Sequence, residues 1–132
     1  MADEATCIET PTRFARYTVA DGTGITIGTM LKLTDPNTAI AHSGDGDAFA
    51  GIAWEEKTAD DGITEITAAL NGVWDLTDGG GGSAVGELQA LDGTANEVRL
   101  AVEADIITGS VVGKALETAG ANEVFRVRVG EW

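Results

Sequence analysis

The chain is short of the residues that most often carry chemistry or lock a fold covalently. It has one cysteine, Cys7, so no internal disulfide can form, and one histidine, His42, too few soft ligands for a zinc site. Lysines and arginines number 8 against 22 aspartates and glutamates. The net charge of −14 repels phosphate, which argues against nucleic acid and against an anionic membrane surface as partners. Aromatic residues make up only 5%, so each one matters to packing. No segment approaches the roughly 18 apolar residues of a membrane span, and no basic stretch precedes an apolar one as in a secretory leader.

What is present is 43% hydrophobic residues and 18 glycines in 132 positions. That is apolar enough to fold as one domain around a single core, and too glycine-rich for a helical bundle. Many tight turns between short strands would account for it. The acidic excess with scarce lysine is like that of proteins from salt-loving organisms, where high ionic strength screens self-repulsion.

Residues 1–12 are polar, acidic and without periodicity, and they read as an arm lacking core contacts of its own. Period-two segments follow. Phe14 to Val19 is the first; in the second, Ile25, Ile27, Leu31 and Leu33 are expected to share one face before Asp35-Pro36-Asn37 turns the chain. Phe49 to Trp54 and Ile63 to Leu70 read as a hairpin, and Val73 to Leu76 as a strand that leads into the Gly79 to Gly82 loop. Ser83 to Leu91 fits a short helix or a strand equally. Val98 to Val102, Val111 to Glu117 and Phe125 to Val129 complete the set. The expected fold is therefore all-β, a small barrel or sandwich with at most one short helix: an extended arm with a first short strand over 1–23, then a β-rich domain over 24–132. A weak echo links Ala50-Gly51-Ile52-Ala53-Trp54-Glu55, Asn71-Gly72-Val73-Trp74-Asp75 and Val112-Gly113-Lys114-Ala115-Leu116-Glu117, each with a glycine where a small barrel bends sharply.

Candidate chemistry is thin. Ser43 and Asp45 lie too near His42 in sequence to complete a triad by themselves. Asp45-Gly46-Asp47 and Asp60-Asp61-Gly62 look like calcium loops but lack the continuation to a twelfth-position glutamate. Glu55 and Glu56 are adjacent on a strand and point to opposite faces, so they cannot flank one bond. Gly22 to Gly28 and Gly79 to Gly82 lack phosphate-loop spacing. No catalytic, cofactor or metal residues are assigned, no cofactor is expected, and the chain reads as a non-enzyme.

The order of segments carries a resemblance. Met30-Leu31-Lys32-Leu33-Thr34-Asp35, Ala39-Ile40-Ala41-His42 and Ala48-Phe49-Ala50-Gly51-Ile52-Ala53, followed by Ile63 to Thr67 and Leu70 to Trp74, resemble the central part of lambda-type head decoration proteins of tailed viruses. Val85-Gly86-Glu87-Leu88-Gln89-Ala90-Leu91, Val112 to Ala119 and Val124 to Val129 resemble the related short capsid-cement proteins. The resemblance implies a homotrimer on the outer surface of the virion, made in the host cytoplasm. It would sit at local three-fold positions of the icosahedral head and bridge major capsid protein subunits after expansion.

Under that resemblance the acidic arm is the expected contact, with Thr6, Ile8, Thr10, Arg13, Phe14, Arg16 and Tyr17 as capsid-contact candidates, because an extended segment can add to an exposed strand edge. Trp54, Trp74 and Trp132 are the candidates for trimer contact or core. The alternative is a carbohydrate-binding or adhesin module that stacks sugars on surface tryptophans. A small hydrolase would need two carboxylates converging in a pocket.

Overall fold

A computed structural model describes residues 3–130. Eleven strands and one short helix follow one another: β1 (Thr6–Glu9), β2 (Phe14–Thr18), β3 (Met30–Thr34), β4 (Thr38–Ala41), β5 (Phe49–Ala53), β6 (Glu65–Ala69), β7 (Gly72–Asp78), β8 (Leu88–Leu91), β9 (Glu97–Leu100), α1 (Glu103–Thr108), β10 (Val111–Ala115) and β11 (Val124–Val129). The all-β expectation holds, with one helix of six residues.

The strands form two barrels of the same design. In the first, β2-β4-β3-β5-β6 closes on itself. In the second, β7-β9-β8-β10-β11 closes in the same order, and the pairings match one for one. Among the described residues the parallel contacts are Thr18↔Thr38 in the first barrel and Thr77↔Glu97 with Asp78↔Val98 in the second. Arg16↔Thr67 on the closing pair has its counterpart in Asp75↔Arg126. Even the irregularities repeat: the β3–β5 register slips after Leu31↔Gly51, and the β8–β10 register slips after the equivalent Gln89↔Gly113. The chain is an internal duplication, residues 14–70 followed by 72–130.

Glycine explains two of the shared bends. Gly28 and Gly86 both take φ of +90°, which an L side chain adopts only under strain, and each ends a turn that delivers the next strand. That turn also corrects the expectation for residues 25–34. The strand begins only at Met30, so Ile25 is buried at 4% exposure while Ile27 is 51% exposed, and Leu31 is buried while Leu33 lies outside. Gly51 and Gly113 occupy the equivalent bulges, so two of the three echoes in the sequence are true counterparts. The Asn71-Gly72 echo is instead the junction between barrels.

Buried apolar side chains fall into two clusters rather than the single core expected from length. One lies inside the first barrel and holds Val19, Ile25, Leu31, Ala39, Ala50, Ala53, Ile66 and Ala68. The larger fills the second barrel with Trp74, Leu76, Leu91, Val98, Val112, Phe125, Val127 and Val129, and it draws in Met30, Ile52 and Ala69 from the first. Those three side chains weld the barrels together. Burying each large aliphatic group contributes about 1.5–3 kcal/mol.

Three further expectations meet the structure here. Ser83 to Leu91 forms strand β8 at its end and no helix; the one helix sits at Glu103–Thr108, where the sequence reading placed no element. Residues 3–12 are not free of the core: Ala5 and Cys7 pack against the larger cluster, and β1 hydrogen-bonds along the outer edge of β7, with Thr6 opposite Asp75 and Glu9 opposite Val73. An edge strand carries unpaired amide groups, and pairing them is the physical reason this polar segment is seated. Trp132 lies outside the described residues.

Candidate functional site

The seven N-terminal candidates divide between the two barrels. Thr6 and Ile8 stand on β1 at the edge of the second barrel, and Thr10 and Arg13 are exposed in the connection. Phe14, Arg16 and Tyr17 are on β2 of the first barrel. Phe14 and Arg16 point outward, whereas Tyr17 is half-buried and donates its hydroxyl to the Ala50 carbonyl at 2.7 Å. Burial pushes the Tyr17 hydroxyl up from its ordinary pKa.

Around Arg16 the outer face of β2 and β6 is a small charge network. Its Nη1 donates to Thr67 Oγ1 at 2.8 Å and to Glu55 at 3.3 Å, and its Nε reaches Glu65 at 3.4 Å. Hydrogen bonds from the Thr67 side chain and backbone, helped by Arg16, hold the Glu55 carboxyl below its ordinary range. These groups are exposed, and such pairs contribute little to stability.

Next to that network lies an apolar trough of about 380 Å³ lined by Phe14, Ala15, Arg16, Trp54 and Thr67. The Phe14 and Trp54 rings meet at 5.6 Å, and Trp54 meets Trp74 edge-on at 6.0 Å. The aromatic row thus runs from the outside of the first barrel into the core of the second. Trp74 is 2% exposed and gives its indole N–H to the Asn71 carbonyl, which makes it a core residue. Trp54 is half-buried and offers part of one face.

The charged clusters close turns. Lys57 has a fully buried side chain, and its Nζ donates to the Asp21 carbonyl at 2.6 Å, the Thr58 carbonyl at 3.1 Å and the Asp61 carboxylate at 3.1 Å. The counterpart position in the second barrel is Ala119, and there Asp78 does the corresponding work from the other side. Its Oδ2 accepts the N–H groups of Gly80 and Gly82, and its Oδ1 accepts the Ser83 hydroxyl. Arg99 of β9 forms a two-pronged pair with Asp105 of α1 at 2.7 and 3.0 Å and also binds Asp45. Asp105 further accepts the Val102 N–H, which caps α1. The Arg99 hydrogen bonds hold the Asp105 carboxyl below its ordinary range, and the same pair raises Arg99.

A second surface escaped the sequence reading. Val102 is 58% exposed, and on α1 Ile106 and Ile107 are 57% and 89% exposed. Adjacent β-branched residues facing water on a helix this short form an apolar patch. The signal was the Ile-Ile pair in a stretch assigned to no element.

Among the described residues no three His, Cys, Asp or Glu side chains converge as metal ligands, and no helix is long and apolar enough to cross a membrane. No protein-family model and no curated protein matches the sequence.

Proposed function

We propose that this protein is a head decoration protein of a tailed virus, which binds the outside of the expanded icosahedral shell as a trimer and bridges major capsid protein subunits. The observation that carries this reading most is the distribution of side chains. The charged clusters are used to fix turns of a rigid double barrel, while large apolar groups face water at several places, two of them being Phe14 on β2, beside the half-buried Trp54, and Ile106 with Ile107 on α1. Two apolar surfaces suit a subunit that must hold its own copies with one and a shell with the other. Repeated modest contacts around a three-fold axis add by avidity. The seven candidates Thr6, Ile8, Thr10, Arg13, Phe14, Arg16 and Tyr17 remain the proposed shell-facing set, with Phe14 and Arg16 the best exposed on a strand.

The experiment is to add purified protein to expanded, undecorated heads, then measure stoichiometry by electron microscopy and the temperature at which the heads release DNA. Occupied three-fold positions and later release support the reading. Protein that stays in the supernatant at every salt concentration overturns it.

One observation favours a second reading. The trough between Phe14 and Trp54 presents aromatic surface, the requirement of a sugar-stacking site. With Trp74 buried, such a site would rest on Trp54 and Phe14. Glycan binding that disappears on Trp54→Ala in a protein that ignores viral heads would establish it.

A further inference from the structure

The duplication makes the two barrels templates for each other, and one edge is filled in one barrel and open in the other. On β7, alternate residues turn their N–H and C=O groups toward β11, as Asp78 does when it donates to Glu123. The residues between them, Val73 and Asp75, face the other way and are taken by β1. On β2 the alternation is the same. Val19 donates to Thr64 and Arg13 accepts from Leu70 on the β6 side, while Thr18 donates to Asn37 on the other. The backbone groups of Phe14 and Arg16 therefore point away from β6. Among the described residues no strand pairs with them, because β4 reaches β2 only at Thr18.

Phe14 and Arg16 are the counterparts of Val73 and Asp75. The difference in cover is large: Val73 is 2% exposed and Phe14 is 44% exposed. An exposed phenyl ring and two sets of unpaired amide groups stand where the duplicate has a docked strand.

We infer that the Phe14–Arg16 edge of β2 is a second strand-docking site, which takes an extended segment of the shell subunit antiparallel to β2, as β1 lies on β7. This deepens the decoration reading and rests on it. The segment's backbone pairs with Phe14 and Arg16, and an apolar side chain from it packs against the exposed Phe14 ring.

The occupant is a different polypeptide on two grounds. Each chain has one β1 and two equivalent edges, so exchange of β1 between copies still leaves one edge bare per chain. Pairing β2 with β2 of another copy would bring together two chains that each carry −14.

The test reads amide exchange at Phe14 and Arg16 by mass spectrometry with single-residue fragmentation, for the full chain free in solution and bound to expanded heads. Free protein should exchange quickly at both, and bound protein roughly tenfold or more slowly. Phe14→Pro, which deletes one outward N–H and no barrel hydrogen bond, should weaken attachment by roughly tenfold, whereas Phe14→Ala keeps the N–H and should lose less.

The wild-type exchange needs no variant, so a folding defect in the proline variant does not decide the outcome. Attachment with both amides still exchanging as in free protein overturns the docking site while leaving the decoration reading intact. Protein that never attaches overturns the decoration reading itself. Protection that rises with concentration in the absence of heads, with a doubled mass, assigns the edge to a second copy and overturns the inference.

Discussion

His42 Nε2 accepts the backbone N–H of Asn96 at 2.9 Å, and Asn96 in turn accepts the Met30 N–H at 2.9 Å through its side-chain oxygen. One histidine at the end of β4 and one asparagine in the β8–β9 turn thereby join the two barrels through buried hydrogen bonds, beside the Met30 side chain that joins their cores.

This pair sets an acid response. Burial lowers the His42 pKa from its ordinary 6.5, against the pull of Asp47 and Asp92 and with help from Lys32. The unfolded chain therefore takes up the proton first, so the stability from neutral His42 is complete above pH 6.5 and is lost as pH falls through the folded value. Protonation at Nε2 would also displace the Asn96 N–H. The melting temperature should fall between neutral pH and pH about 5, and His42→Gln, which can still accept but does not titrate, should flatten that part of the curve. An unchanged slope in the variant would assign the response elsewhere.

Asp105 titrates later. Its carboxyl is held below the ordinary 3.8 by Arg99, so its contribution is present above that value and disappears only in stronger acid. Asp105→Asn should cost about 2–4 kcal/mol in chemical denaturation, since it leaves the Arg99 guanidinium without its two-pronged partner in a site that is 3% exposed. The amides of α1 should exchange faster in that variant.

Lys57→Met should destabilise by about 3 kcal/mol, because the carbonyls of Asp21 and Thr58 and the Asp61 carboxylate lose their shared donor. The counterpart Ala119 needs no such donor, so Ala119→Ser should cost under about 1 kcal/mol. Denaturant midpoints of both variants check the contrast.

Gly113→Ala should be worse than most surface changes, at about 3 kcal/mol or more. A Cβ there would overlap the Arg128 carbonyl, a backbone atom fixed by the β10–β11 ladder. Expression as soluble protein with wild-type melting would mean the two strands can part at no cost.

Ile107→Asp removes the most exposed large apolar side chain from the α1 patch. If the patch joins copies, the variant should sediment as a monomer with an unchanged melting curve at low protein concentration. A trimer that survives the change would move the contact to another face.

Net charge gives one more measurable outcome. With −14 on 132 residues, self-repulsion should be relieved by salt, so the melting temperature should rise from dilute buffer to molar salt. A flat response would remove the high-salt habitat from the reading.

The individual strands were legible because alternation survives in them. In β11, Phe125, Val127 and Val129 are buried and Arg126 and Arg128 exposed, just as their period of two requires. The duplication was not legible, since equivalent positions carry unlike residues: Tyr17 and Leu76, Ile25 and Ser83, Lys57 and Ala119. Connections also differ in length, 19–29 against 79–87, 35–37 against 92–96, 42–48 against 101–110 and 54–64 against 116–123, so the spacing between counterparts changes along the chain. Only glycines at forced backbone positions kept the pattern visible. The open β2 edge could not be read from composition at all, because it is defined by a strand that is missing beside one barrel and present beside the other.

The seating of β1 has a consequence for synthesis. Residues 14–70 can close the first barrel as soon as they leave the ribosome, yet Thr6–Glu9 must wait for Val73 to Asp75 before finding their place. Strand β1 thus waits, unpaired, through the synthesis of the whole first barrel, and when it closes it marks the chain as complete through β7.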